Sequence, residues 1–293
     1  FCLARGLGDV YKRQGQKVEI DDYLTDALTD AATDFIDKKS EADEPFFLYL
    51  AYNAPHTPLQ ATEKYLSRFS QIEDEKRRTY AAMVSSVDDG VGRVLETLRK
   101  NGIEEDTLVF FLSDNGGASN NASINSPLRG TKSDVFEGGI RVPFAMQWKG
   151  TVPAGQVYRE PVISLDIFGT IAGITGVPIA TDRPLDGVNL IPYLLGKRSG
   201  SPHDKLFWRK WEQNAMAVRD GNDKLLSAGK QQRNNYQLYQ LDTDIAESEN
   251  LRSKLSEKSQ ALLQSWEAWN AQMKDRTFPT LGEDIWWERK QKE

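Results

Sequence analysis

The chain of 293 residues has a single cysteine, Cys2, and only two histidines, His56 and His203. One thiol excludes an internal disulfide framework, and so few imidazoles exclude a histidine-rich metal centre. No apolar run approaches the roughly 20 residues of a membrane-crossing helix, so no integral membrane segment is expected. Positive charge is also in short supply. Against 43 Asp and Glu stand 37 Lys and Arg, a net charge of −6 with an isoelectric point near 5.2. That balance argues against a nucleic-acid surface. An acidic protein that binds an anion must gather its cations locally. The length suffices for one large domain and a small one.

Three segments carry chemistry. The first is Ser113-Asp114-Asn115-Gly116-Gly117, which ends the apolar run 107–112. A short β-branched and aromatic run bounded by glycine predicts a fully buried, parallel strand. Ligands of open α/β sheets bind beyond the carboxyl ends of such strands. A carboxylate beside an amide oxygen there suits Ca²⁺ or Mg²⁺. Asn115-Gly116 would equally serve as a tight hairpin turn, although a polar loop and no alternating strand follows it. The second is Ala54-Pro55-His56-Thr57-Pro58, after the strand-like run 46–52. Proline on either side stiffens the mount of an imidazole that could pass a proton or hold an anion. A histidine satisfied by local backbone would look the same. The third is Leu128-Arg129-Gly130-Thr131-Lys132, followed by Phe136-Glu137-Gly138-Gly139-Ile140-Arg141-Val142-Pro143. Its glycines allow close backbone approach, and Arg129, Lys132 and Arg141 could meet an oxyanion. Solvated surface cations are the plain alternative.

The spacing of Leu24, Leu28, Ala31, Phe35 and Ile36 predicts a helix, and that of Tyr80 through Leu98 a second, stopped at Asn101-Gly102. Strand 46–52, that second helix and strand 107–112 form an expected right-handed βαβ unit. Further helices are expected near 164–173 and 188–195, and a strand over 142–148. A linker over 197–202 precedes a change of texture. Short strands at 206–208, 215–218 and 236–239, then a helix within 251–273, predict a small antiparallel sheet with a packing helix. Trp208 reads mainly as core; His203, Trp208 and Arg209 are candidate sugar contacts. The aromatic tail Ile285-Trp286-Trp287 has no functional account.

The ordered set Ala-Pro-His-Thr-Pro, Ser-Asp-Asn-Gly-Gly, Leu-Arg-Gly-Thr-Lys and Phe-Glu-Gly-Gly-Ile-Arg-Val-Pro resembles the formylglycine-dependent type I sulfatases, in their arylsulfatase B-like and bacterial glycan-sulfatase branch. The resemblance runs from about Tyr23 to the end of the chain. It implies an α/β fold: an alkaline-phosphatase-like mixed sheet flanked by helices, plus the small C-terminal sheet. It implies that Asp114 and Asn115 bind the divalent metal, usually Ca²⁺, with Mg²⁺ the alternative. Lys132 would contact the sulfate and steady the leaving oxygen; His56 would bind sulfate and protonate the leaving group. The implied substrate is a sulfated carbohydrate or aryl sulfate, in a bacterial periplasmic or secreted setting. The same superfamily includes phosphate and phosphonate monoester hydrolases, and a non-catalytic carbohydrate-binding relic is the reading from another class.

The sequence departs from the family at the nucleophile. Cys2 stands in Phe1-Cys2-Leu3-Ala4-Arg5-Gly6, without the Pro and Arg of Cys-x-Pro-x-Arg, and is rejected as the formylglycine precursor. The early paired aspartates that complete the metal site are not in this sequence either. Residues 1–14 read as a non-native leader or sequencing scar, 15–200 as the C-terminal portion of the catalytic domain, and 201–293 as a small α+β subdomain. The chain by itself is expected to be inactive.

Overall fold

The computed structural model describes residues 20–180, 182, 185–211, 214–229 and 235–274, and the backbone of 11–13 and 16–18. Cys2 and the Ile285-Trp286-Trp287 tail lie outside the described residues, as does nearly all of the supposed leader. The chain forms two compact units. One comprises residues 1–109, 118–123 and 147–151, the other 110–117, 124–146 and 152–293.

In the first unit, strands β1 (Tyr11–Arg13) and β2 (Gln16–Val18) pair antiparallel, Tyr11 opposite Val18. Helix α1 (Leu24–Ser40) follows; α2 (Glu63–Leu66) runs into a 3-10 turn, and α3 (Glu75–Lys100) is the long element. Asp74 caps α3 by accepting from Arg77 N–H at 2.6 Å, satisfying one otherwise orphaned donor. At the far end Asn101 is the cap, and Gly102 takes φ +72° as expected of a left-handed stop. Ala32 and Ile36 of α1 and Ala82, Met83 and Leu98 of α3 are buried. Gly90 lets the helices close on Tyr52: a Cβ there would lie 2.5 Å from the Tyr52 hydroxyl, itself 2.8 Å from Thr29 Oγ1.

The expected strand over 46–52 is not formed. Burial does alternate along it, with Phe46, Leu48, Leu50 and Tyr52 partly covered and Phe47 and Tyr49 exposed at 69% and 72%. Period-two patterning is therefore present, but no described strand pairs with the segment. A ladder needs a hydrogen-bonding neighbour as well as a pattern. The βαβ unit is thus absent from the described residues.

In the second unit β3 (Val109–Leu112) is followed by α4 (Glu137–Ile140) and then by β4 (Phe144–Gln147), the strand paired with β3. Phe110 meets Phe144 edge to face at 6.1 Å. Phe111 is 44% exposed, so β3 is not the fully buried strand that its apolar run predicts. Burial depends on a covering layer, which the run cannot report. Helices α5 (Asp166–Thr175) and α6 (Ile191–Leu194) fall near their expected places.

Strands β5 (Lys205–Lys210), β6 (Ala215–Asp220), β7 (Asp223–Ser227) and β8 (Gln237–Gln240) make one antiparallel sheet in chain order. Register places Trp208 opposite Ala217 and Leu225 opposite Leu238. Alternation divides its side chains between two cores. Ala215, Ala217, Leu226 and Tyr239 face Val135 and Phe136, while Val218, Leu225 and Leu238 face Leu262 of helix α7 (Ser256–Asn270). Phe207 stacks on Trp269 at 5.1 Å with an interplanar angle of 6°. Strand β7 was not among the sequence expectations.

Candidate active site

Asp114 and Asn115 stand at the end of β3, in a loop built by glycine contacts. Gly116 N–H donates to Gly139 O at 3.0 Å, Gly138 N–H to Arg129 O at 2.7 Å, and Lys132 N–H to Gly117 O at 3.0 Å. A Cβ on Gly116 would fall 1.7 Å from Gly138 O, and one on Gly138 2.4 Å from Gly130 O. Only glycine permits this approach. The strand-end loop and the 129–139 loop are therefore one backbone assembly. It brings Asp114, Asn115 and Lys132 onto a shared support.

Asn125 completes the stitching. Its amide accepts from Gly117 N–H at 2.9 Å and donates to Gly117 O at 2.9 Å and Gly130 O at 3.1 Å. Asp134 holds the next turn by accepting from Thr131 N–H at 2.8 Å. Sequence reasoning missed both residues. An Asn in a polar loop carries no signal until the groups it bonds are known.

Three charged side chains of this unit are buried together. Lys224 Nζ lies 2.8 Å from Glu137 Oε1 and 2.8 Å from Glu247 Oε1, all three residues being 0–1% exposed. Glu247 Oε2 accepts from Glu137 N–H at 2.7 Å, at the first turn of α4. Burial pushes the Glu247 carboxyl above its ordinary value, against the pull of Lys224. Arg129 and Arg141, read from sequence as anion contacts, are engaged elsewhere. Arg129 donates to Glu247 O at 2.8 Å and covers the Phe136 ring, and Arg141 pairs with Glu137 at 3.4 Å. Lys132 differs. It is half-buried, and among the described residues its ammonium has no ion pair or hydrogen bond.

The carboxylate of Asp114 is exposed and likewise unpaired among the described residues. The Asn115 amide nitrogen donates to Gly116 O at 2.9 Å, leaving its oxygen outward. The two oxygens fit the hard-donor preference of Ca²⁺ or Mg²⁺, ions that take about six or more such ligands. No cluster of three or more His, Cys, Asp or Glu occurs among the described residues.

His56 belongs to the first unit and is described within it. Its backbone N–H donates to Asn53 O at 2.8 Å, and its Nδ1 lies 2.6 Å from Thr57 O. A carbonyl only accepts, so Nδ1 carries the proton and Nε2 is the nitrogen left free on an exposed ring. His203, the other histidine, is structural. Its Nε2 lies 3.0 Å from both oxygens of buried Asp166, which also accepts from Ile163 and Val188 N–H at 2.8 Å. Trp208 packs against the sheet core.

The Sulfatase family model matches residues 3–177, and the chain belongs to that family. It is 39% identical over 199 residues to the uncharacterized sulfatase YdeN of Escherichia coli strain K12, covering 66% of this chain and 35% of that one. It is 37% identical over 177 residues to the N-acetylgalactosamine-6-sulfatase of Canis lupus familiaris, covering 59% and 33%. The crystal structure of Ps i-CgsB in complex with k-i-k-neocarrahexaose superposes with TM-score 0.85 at 35% identity, over 94% of this chain and 61% of that one. The fold is accordingly the mixed α/β, alkaline-phosphatase-like fold of sulfatases. The chain spans about a third of the length of these curated relatives.

Proposed function

We propose that the protein to which this chain belongs hydrolyses sulfate esters of carbohydrates, with aryl sulfates as alternative substrates. The observation that carries this reading is Lys132: a half-buried cation, unpaired among the described residues, on the same glycine-stitched support as Asp114 and Asn115. A fixed cation beside two hard oxygen donors suits a tetrahedral oxyanion whose charge grows at the leaving oxygen. Membership of the Sulfatase family supports it, as do the similarity to the canine N-acetylgalactosamine-6-sulfatase and the saccharide held by the structural neighbour.

In this reading Lys132 binds a sulfate oxygen and steadies the departing alkoxide, and His56, as the imidazolium with Nδ1–H kept on Thr57 O, donates its Nε2 proton to it. Asp114 and Asn115 are two ligands of Ca²⁺, or of Mg²⁺. When bound, the ion supplies Lewis-acid polarisation of the sulfate. The nucleophile is a formylglycine that this chain does not supply, since it holds no Cys-x-Pro-x-Arg or Ser-x-Pro-x-Arg. The isolated chain is therefore inactive, and the parent enzyme works in a bacterial periplasm or outside the cell. No described helix is long and apolar enough to cross a membrane.

The test is turnover of 4-methylumbelliferyl sulfate and 4-methylumbelliferyl phosphate by the parent enzyme, wild type and Lys132→Ala. Sulfate turnover that falls by roughly a hundredfold or more in the variant supports the reading. Preference for the phosphate ester would replace it with the phosphatase alternative; turnover of neither would favour a binding relic. Turnover of the sulfate by the isolated 293-residue chain would overturn its predicted inactivity.

A further inference from the structure

Both ends of the loop that carries Lys132 are tied to one distant residue. At its start the Arg129 guanidinium donates to the backbone carbonyl of Glu247 at 2.8 Å and to the Tyr239 hydroxyl at 3.1 Å. At its end the backbone N–H of Glu137 donates to the Glu247 carboxylate at 2.7 Å. Lys132 lies between, and among the described residues its side chain has no hydrogen bond or ion pair. Its place is set by the backbone on either side, and so by Glu247.

Glu247 is itself firmly held. It is fully buried and takes φ +52°, a backbone state costly for a residue other than glycine. Asp244 builds the turn that imposes this, accepting from the N–H groups of Ser248 and Glu249 at 2.8 and 2.9 Å. The second Glu247 carboxylate oxygen stands 2.8 Å from Lys224 Nζ, and the same ammonium donates to Glu137 Oε1 at 2.8 Å. One buried cation therefore joins the residue that holds the loop to the residue that ends it. Backbone strain retained at such a point belongs with the service of a nearby site.

The two residues after Glu137 are the glycines that close the site's support. Gly138 N–H donates to Arg129 O at 2.7 Å, and Gly139 O accepts from Gly116 N–H at 3.0 Å, one residue after Asn115. Helix α4 has four residues, and Phe136 at its start offers no capping side chain, so it cannot hold this geometry unaided. A shift at Glu137 would move both clasps, and with them the separation of Lys132 from Asp114 and Asn115.

We propose that Glu247 is a positioning residue: through Arg129 and Glu137 it fixes both ends of the 129–137 loop and so sets Lys132 against Asp114 and Asn115. What Lys132 then does rests on the sulfatase reading; how it is held does not.

Amide hydrogen exchange of the 293-residue chain tests the holding. In Glu247→Ala the amides of Gly116, Lys132 and Gly138 should exchange about tenfold faster or more, the scale of one lost hydrogen bond to a charged group, while those of β6 and β7 keep their rates. Glu247→Gln, which keeps an acceptor for Glu137 N–H, should restore most of the protection. If the alanine variant does not fold, Arg129→Met, which frees only the start of the loop, decides by the same three amides. Unchanged exchange there in the folded variant, or acceleration across β6 and β7 as large as in the loop, overturns the proposal. Kinetics of the parent enzyme read the consequence. A poor leaving group depends most on Lys132, so Glu247→Ala should lower kcat more for phenyl sulfate than for 4-nitrophenyl sulfate, with KM changed less. In a Lys132→Ala background it should do little more. Equal losses on the two esters that multiply those of Lys132→Ala also overturn the positioning. If Lys132→Ala itself spares turnover, the sulfate reading falls, and the exchange rates alone decide for Glu247.

Discussion

Gly116 has no room for a side chain, since a Cβ would overlap the Gly138 carbonyl at 1.7 Å. Gly116→Ala should therefore cost more than about 2 kcal/mol in denaturant unfolding, at the upper side of usual overpacking penalties. Lys224 makes the opposite case, a residue that cannot be removed alone. Lys224→Met leaves Glu247 buried without its cation, while Glu137 keeps Arg141 at 3.4 Å, and should cost about 3–5 kcal/mol near neutral pH. The sign of its pH dependence follows. Burial already raises the Glu247 carboxyl while Lys224 pulls it down, so without Lys224 it would titrate higher still and protonation favours the folded variant. The gap between Lys224→Met and wild type should narrow as pH falls, and a gap that widens would refute the pairing. Residue type beside a strand end and a glycine-rich loop was enough to single out Asp114, Asn115 and Lys132 as candidates. Their support was not legible, because Asn125 and Glu247 act through contacts remote in sequence.

Helices α1, α3, α5 and α7 were readable because amphipathic spacing and terminal signals are local. Strand β7 escaped because Asp-Lys-Leu-Leu-Ser does not alternate. Its burial comes from β6 and β8 on either side and a core on each face. Leu262 is the residue of α7 most buried against that sheet, so Leu262→Ala should destabilise by about 2–5 kcal/mol in thermal or denaturant melts. The turn after α2 is tied to α3 by Arg68, which donates to both oxygens of Asp89 at 2.7 and 2.8 Å. These bonds hold the Asp89 carboxyl below its ordinary value. The stabilisation is thus present above the unfolded carboxylate pKa of about 3.9 and lost as pH falls through the lower folded value. Both side chains are partly exposed, so Arg68→Gln should lower stability only slightly at pH 7. The difference from wild type should vanish in melts taken well below pH 4.

At the scale of the molecule, the family was carried by four short segments whose order along the chain needs no structure to read. Composition by itself excluded a disulfide scaffold, and the scarcity of cations turned attention to the places where they cluster. Those features are local or additive, so the amino-acid sequence determines them alone: helix periods, glycine positions, charge, and the donor types of the candidate site residues. What the tertiary structure decided is pairing and cover. Among the described residues it left 46–52 without a ladder and Lys132 unpaired; it also exposed Phe111, sent Arg129 and Arg141 into structural contacts, and placed His203 on Asp166. Each of these depends on which group arrives from a distant part of the chain. A hydrogen bond or an ion pair belongs to two residues at once, and a single position in a sequence names only one of them.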